Sequence, residues 1–247
     1  MIPIKSEKEI QIIAANGQIL ASIMRELEKK VRPGISTEEL DRVAETLILN
    51  SGATPSFKGH DGFPKTLCTS INEEIVHGIP GLRILKEGDI LSLDIGMKRN
   101  GFHADMAITV GVGKISVQAQ RLIWVTKKAL KRGIKKAKAG NTFGDIGNTI
   151  QRYVEDQGLG IVRELCGHGI GQELHEDPQV LNYGKRHAGA VIQEGMVFCP
   201  EPMVTINDWK IKEMPDGFCY KTADNSLSAH FEHTIAVTKD GPLILTI

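Results

Sequence analysis

The sequence predicts an α+β protein built as two related halves. Three observations carry that expectation. Ile90–Ile95 and Phe102–Val110 read as strands joined through Lys98-Arg99-Asn100-Gly101, and Asn-Gly is suited to a tight hairpin turn. Apolar residues at helical spacing recur before and after that hairpin. The glycines and acids of the first half return, in order, in the second.

Composition narrows the class. A chain of 247 residues can bury a full core, and 41% hydrophobic with 24% charged residues is a globular balance. Thirty basic against thirty acidic residues leave no net field, which argues against a general nucleic-acid binder and gives no reason to expect DNA as a partner. The start, Met1-Ile2-Pro3-Ile4-Lys5-Ser6-Glu7, lacks the apolar core of a signal peptide, and no apolar run is long enough to span a bilayer. Cys68, Cys166, Cys199 and Cys219 show neither CxxC spacing nor a disulfide framework. The expectation is a cytoplasmic protein with free thiols and no membrane partner.

The elements follow in order. Ile10, Ile13, Gly17, Leu20, Met24 and Leu27 recur at steps of three and four, giving an amphipathic helix too short for a coiled coil and therefore docked on a sheet. Pro33-Gly34 breaks the chain. Ser36 and Glu39 then form a capping box for a helix carrying Leu40, Val43, Ala44 and Leu47. Ser51 to Lys65 reads as a loop, Leu67 to Ile71 as a strand, and Asn72 to Pro80 as the approach to the hairpin. Beyond the hairpin a helix lies within Val117 to Lys138, Gly140 breaks it, and the next helix carries Phe143, Ile146, Ile150, Tyr153 and Val154.

The duplication is legible in single residues. Gly34 and Gly52 flank one helix as Gly140 and Gly158 flank another, shifted by 106 positions. Glu87-Gly88 leads to Asp94 as Glu194-Gly195 leads to Glu201, and Asp105-Met106-Ala107-Ile108-Thr109-Val110 matches Glu232-His233-Thr234-Ile235-Ala236-Val237. The chain is therefore expected to be one domain, 1–247, with halves of approximately 1–112 and 113–247. Each half contributes two acids to a shared cleft.

The chemistry begins with those acids. Hairpin register places Asp94 opposite Ala107 and diagonal to Asp105, on one face. Two carboxylates so placed repel unless a proton or cation lies between them; alternatively, one is solvated at the turn end. Cys166-Gly167-His168-Gly169-Ile170-Gly171 fails the dinucleotide fingerprint, and His175-Glu176 fails the zincin pattern. Its glycines are expected to let the backbone pass close to something bound beside His168. Prolines on both sides of Glu201 place it at a strand end or bulge. Alternation puts Glu232 on the same face as His230 and Thr234. Asp94, Asp105, Glu201, Glu232 and one His make an oxygen-rich set that suits Mn, Fe(II), Co or Zn, and shared carboxylates suit a pair of such ions.

Over nearly its whole length the chain resembles the bacterial type I methionine aminopeptidases of the short form, in metallopeptidase family M24. The resemblance rests on Asn72-Glu73-Glu74-Ile75-Val76-His77-Gly78-Ile79-Pro80, Asp94-Ile95-Gly96, Asp105, His168 to His175, Glu201-Pro202-Met203 and Phe231-Glu232-His233-Thr234. It implies the pita-bread fold, two pseudo-symmetric halves with antiparallel sheet covered by helices. It also implies removal of N-terminal methionine from nascent proteins and peptides with a small second residue. By that resemblance Asp94, Asp105, His168, Glu201 and Glu232 hold two divalent metal ions, with Asp105 and Glu232 bridging, and a bridging hydroxide attacks the carbonyl. Glu201 shuttles the proton, His175 steadies the carbonyl oxygen, and His77 contacts the scissile nitrogen or the substrate's amine. The methionine pocket falls on Phe57, His60, Phe63, Cys68, Leu174 and Phe218. The chain departs from the family pattern at His60, Leu174 and Phe218, where relatives often carry Tyr, Phe and Trp, and at Pro200.

The implied partners are the N-termini of nascent polypeptides, met by a monomer. Lys127, Lys128, Lys131, Arg132, Lys135, Lys136 and Lys138 read first as a solvated helix face, and docking to the ribosome is the alternative. Two rival readings remain on the same fold: a proline dipeptidase or creatinase, which normally carries a further N-terminal domain, and a binding module that has lost its ligands.

Overall fold

The computed structural model describes residues 1–247. Helix α1, Glu7–Lys30, starts at a reciprocal capping box in which Ser6 N–H donates to Glu9 at 2.7 Å and Glu9 N–H donates to Ser6 at 3.4 Å. Glu7 and Glu9 at its start and Lys29 and Lys30 at its end both oppose the helix dipole. The predicted stripe is buried from Ile13 to Leu27, with Ile10 only half-buried. It docks on the hairpin, as its short run of heptads requires. Helix α2, Thr37–Asn50, begins at Ser36, which accepts from Glu39 N–H at 3.2 Å. The return bond from Glu39 is missing, so the expected capping box is half formed; Ser36 is instead set by a backbone bridge with Ile84.

The hairpin strands are longer than their apolar runs, Ile90–Arg99 and Phe102–Gly111. Asn100 and Gly101 have φ of 52° and 83°, the left-handed pair a type I′ turn needs. Register is as expected: Asp94 faces Ala107 and Gly96 faces Asp105. Leu67–Ile71 pairs with the first hairpin strand. The region Ser51–Lys65 is not all loop: Thr54–Pro55 adds to the hairpin edge and His60–Gly62 forms a 3₁₀ turn. Two residues carry no periodic signal, so only the hairpin edge that recruits them defines that strand.

Helices α3, Val117–Ile134, and α4, Phe143–Glu155, cover the second half. Their core is shared with the sheet beneath, where Phe143 meets Phe198 edge to face at 4.9 Å between ring centroids. The duplication extends to backbone angles. Gly34 and Gly140 have φ of 91° and 89°, and Gly52 and Gly158 have 72° and 68°. Gly34 N–H donates to Leu85 and Gly140 N–H to Ile192, and the Ser36–Ile84 bridge recurs as Thr142–Val191. The halves join where Glu232–His233 pairs with the second hairpin strand, Glu232 facing Ala107. Asp94, Ala107 and Glu232 thus form one row across three strands. The methyl group of Ala107 leaves open the space between two acids that a longer side chain would fill.

Candidate metal centre and substrate cavity

The row of acids opens into one cavity of about 320 Å³. At its floor, single donor atoms of Asp94, Asp105 and Glu232 lie within 4.8 Å of one another, and so do those of His168, Cys199 and Glu232. His168 belongs to the strand Gly167–Gly169 and faces Cys199 on the strand Val197–Cys199. Its Nδ1–H donates to the Gly169 carbonyl at 2.9 Å, which turns the Nε2 lone pair inward. Nε2 lies 3.9 Å from Glu201 and 3.6 Å from Glu232, too far for hydrogen bonds. Glu201 follows the strand Val197–Cys199 at a break between Pro200 and Pro202, the strand end its prolines predict.

The electrostatics of this floor favour cations. Burial, and then the charge of Glu232, push Asp94, Asp105 and Glu201 above the ordinary carboxylate range. Burial acts on Glu232 in the same direction, but His168 outweighs it and holds Glu232 low. Burial also opposes charge on His168, and Glu232 and Glu201 overcome it and raise its affinity for a proton. The buried oxygens Asp94 Oδ1, Asp105 Oδ1 and Glu232 Oε1 have no hydrogen-bond donor. Acceptors this dry and unpaired are costly, and a divalent ion answers every one of them. The donor set fits. Cys199 does not join it, because burial and then Glu232 push its thiol well up, and its sulfur sits 3.4 Å from Thr234 Oγ1.

All the predicted site residues line this cavity. Phe57, Phe63, Cys68 and Leu174 are buried around one end, with Phe218 half-buried edge-on to Phe63 at 5.5 Å. His175 stands exposed between two imidazoles, its ring 4.6 Å from His168 and 5.2 Å from His60. Partial desolvation and then His168 lower its pKa to about 4, so at neutral pH it is an uncharged N–H donor. His77 is exposed at the rim, in left-handed backbone with φ 58°, a conformation that non-glycine residues adopt chiefly where the surroundings impose it.

The structure also corrects and adds. Gly167 and Gly169 do not make room for anything bound beside His168. A Cβ on either would run into backbone, of Cys199 and of Asp177 respectively, so the close approach is between strands. Three further residues belong to the site that sequence reasoning missed. His230, 1% exposed, holds Glu201 Oε2 through Nε2 at 3.1 Å, leaving Oε1 toward His168. Thr234 accepts from Asp105 N–H at 2.9 Å and donates to its carbonyl at 2.7 Å. Tyr220 lines the rim, 6.2 Å from His77 between ring centroids. Alternation puts His230 and Thr234 on the right face, and only the packed halves show what they touch.

The sequence profile of metallopeptidase family M24 matches residues 11–239. The chain belongs to that family. A methionine aminopeptidase of Clostridium perfringens is 49% identical over 247 residues, covering 100% of this chain and 99% of that protein. The crystal structure of a Rickettsia prowazekii methionine aminopeptidase is 39% identical with a TM-score of 0.99, each chain covered in full. A prolidase from Pyrococcus horikoshii OT3 superposes with a TM-score of 0.78 at 25% identity, but this chain covers only 63% of it. The pita-bread architecture is thus shared across the family. Full-length agreement is with the methionine aminopeptidases.

Proposed function

We propose that this chain hydrolyses the bond after an N-terminal methionine, and that the residue following it must be small. One observation carries the reading: a single cavity is lined both by a buried apolar cluster of Phe57, Phe63, Cys68 and Leu174 and by four acids and an imidazole. Asp94, Asp105, His168, Glu201 and Glu232 would hold two divalent ions, and Co, Mn, Fe(II) and Zn all suit these donors. Such ions, when bound, supply a water acidic enough to attack at neutral pH and an electrophile for the carbonyl. Phe57, Phe63, Cys68, Leu174, Phe218 and His60 enclose the methionine side chain, a soft thioether in an apolar wall. His175 donates its N–H to the carbonyl oxygen as charge develops there. Glu201 takes up the proton released from water, while His230 holds its second oxygen still. His77 contacts the scissile nitrogen or the free amine.

The test is release of methionine from Met-Ala, Met-Gly and Met-Ser peptides but not from Met-Leu or Met-Lys. Efficient cleavage of Met-Leu, or of Leu-Ala at a similar rate, contradicts the reading.

The whole chain acts as one catalytic domain and a monomer in the cytoplasm, where nascent N-termini arise. No helix is long and apolar enough to cross a membrane. On α3 and the turn after it, Lys128 lies half-buried over Trp124 and Arg132 over Tyr153, while Lys127, Lys131, Arg132, Lys135, Lys136 and Lys138 are exposed. The simpler reading is a solvated face; docking to the ribosome is tested by pelleting with charge reversals at Lys131, Lys135 and Lys138. Salt-sensitive binding lost on reversal supports docking, and anything else leaves the face solvated.

A further inference from the structure

Chain ends usually fray, yet the residues before α1 are tied down. Lys5 N–H donates to the Gly195 carbonyl at 2.8 Å. Gly195, at φ 85°, has no room for a side chain, because a Cβ there would stand 2.7 Å from Ile4 Cγ2 and 2.8 Å from the Lys5 carbonyl oxygen. From this anchor the Lys5 side chain runs inward. It is 6% exposed, and its ammonium meets the carboxylate of Glu176, itself 12% exposed. The other Glu176 oxygen accepts from Glu173 N–H at 3.3 Å.

Gly171 closes over the pair. A Cβ at Gly171 would lie 2.5 Å from Lys5 Cε and 2.6 Å from Glu176 Oε1. Gly171 N–H donates to the Glu173 carbonyl at 3.1 Å, and its own carbonyl accepts from His103 N–H at 2.8 Å. Lys98 Nζ donates to the Gln172 carbonyl at 2.8 Å from the solvent side. The turn 171–176 is therefore wrapped around one buried ion pair whose cation comes from the N-terminal segment. That turn carries Leu174 and His175. At its end Glu176 pairs with Gly169, the residue after His168.

The catalytic steps use neither charge. A buried ion pair is a poor source of stability compared with apolar packing, so its value here lies in direction. Glu176 is bonded to His175 in the chain, and its carboxylate is held by Lys5, neither of the two lining the cavity that His175 lines. We propose that Lys5 is a positioning residue: through Glu176 it aims His175 into the cavity beside His168. The inference rests on His175 acting at the substrate carbonyl.

A double-mutant cycle tests it, with kcat and KM on a Met-Ala peptide and Co²⁺ affinity by calorimetry. Lys5→Met should lower kcat about 10- to 100-fold, the scale of a small misplacement of a catalytic group. KM and Co²⁺ affinity should stay within about twofold, since no ligand or pocket residue is altered. On a His175→Ala background the same Lys5→Met change should lower kcat by less than about twofold, because the group being aimed is gone. If the loss persists in full on that background, or if Lys5→Met leaves kcat unchanged, Lys5 does not act through His175 and the inference is overturned. If His175→Ala alone leaves kcat unchanged, the role of His175 is wrong and the inference falls with it. Glu176→Gln goes through the same cycle and decides on the same criterion should Lys5→Met not fold.

Discussion

Replacing Asp105 by alanine removes the carboxylate that faces both Asp94 and Glu232, and its backbone is already locked by Thr234. Asp105→Ala should therefore lose bound metal and activity together while the strand stays in place. His175 lines the same cavity beside His168 and offers an N–H rather than a carboxylate. His175→Ala should keep near-normal metal content while kcat falls by about 10²–10³, the usual loss for one oxyanion donor. KM should move little, because that contact strengthens mainly in the transition state. Metal analysis with steady-state kinetics separates the two; loss of metal in His175→Ala would assign that imidazole to the metal shell instead.

The strand Gly167–Gly169 shows how backbone contact sets a site. It is gripped between the strands Glu176–Val180 and Val197–Cys199, and a Cβ at Gly169 would lie 2.6 Å from the carbonyl carbon of Asp177. Gly169→Ala must push neighbouring strands apart, at a cost of about 1–3 kcal/mol for overpacking. It should also lower kcat/KM, because Gly169 adjoins His168 in the chain and pairs with Glu176, the neighbour of His175. Gly34→Ala is the contrast. Its Cβ meets nothing within 4 Å, but its φ is 91°, so the cost is left-handed strain of about 1–2 kcal/mol with activity unchanged. Urea unfolding and kinetics on both variants distinguish crowding at the site from strain far from it.

Two halves meeting at one row of acids make stability and metal binding a single property of the molecule. Asp94, Asp105 and Glu201 are pushed upward in the folded state by burial and by Glu232. A raised carboxyl contributes stability that is present below its unfolded pKa and lost as pH rises through the folded one. Metal-free protein therefore carries the repulsion of these acids most heavily at neutral pH and above. Metal competes with the same protons, so its stabilising effect should be largest there and shrink as pH falls. At a hundredfold excess over Kd one site adds about 2.7 kcal/mol. Thermal melts of EDTA-treated protein with and without Co²⁺, from pH 8 down to pH 5, should show a gain in Tm that narrows steadily. Equal Tm values at pH 8 would contradict the metal-centre assignment.

The hairpin register and the pairing of acids on it were legible because local rules determine them, whereas the imidazoles took their roles from the family resemblance. Asn100-Gly101 admits one turn, side chains alternate along a strand, and Asp94 therefore had to share a face with Asp105. Helix starts and glycine breaks were legible for the same reason, each being settled within a few residues, and the repeat because its two copies match in residue type and order. The Thr54–Pro55 strand, the half-formed cap at Ser36 and the purpose of the glycines around His168 were not. Each depends on a distant edge or backbone that no local pattern encodes. The supporting contacts are more distant still: Lys5 with Glu176 across 171 positions, Thr234 with Asp105 across 129, and His230 with Glu201 across 29. Sequence alone, read with the family resemblance, named the candidate residues for metal and substrate. Only tertiary structure decided how those residues are held, because a hydrogen bond or ion pair between remote segments depends on where packing brings their backbones together.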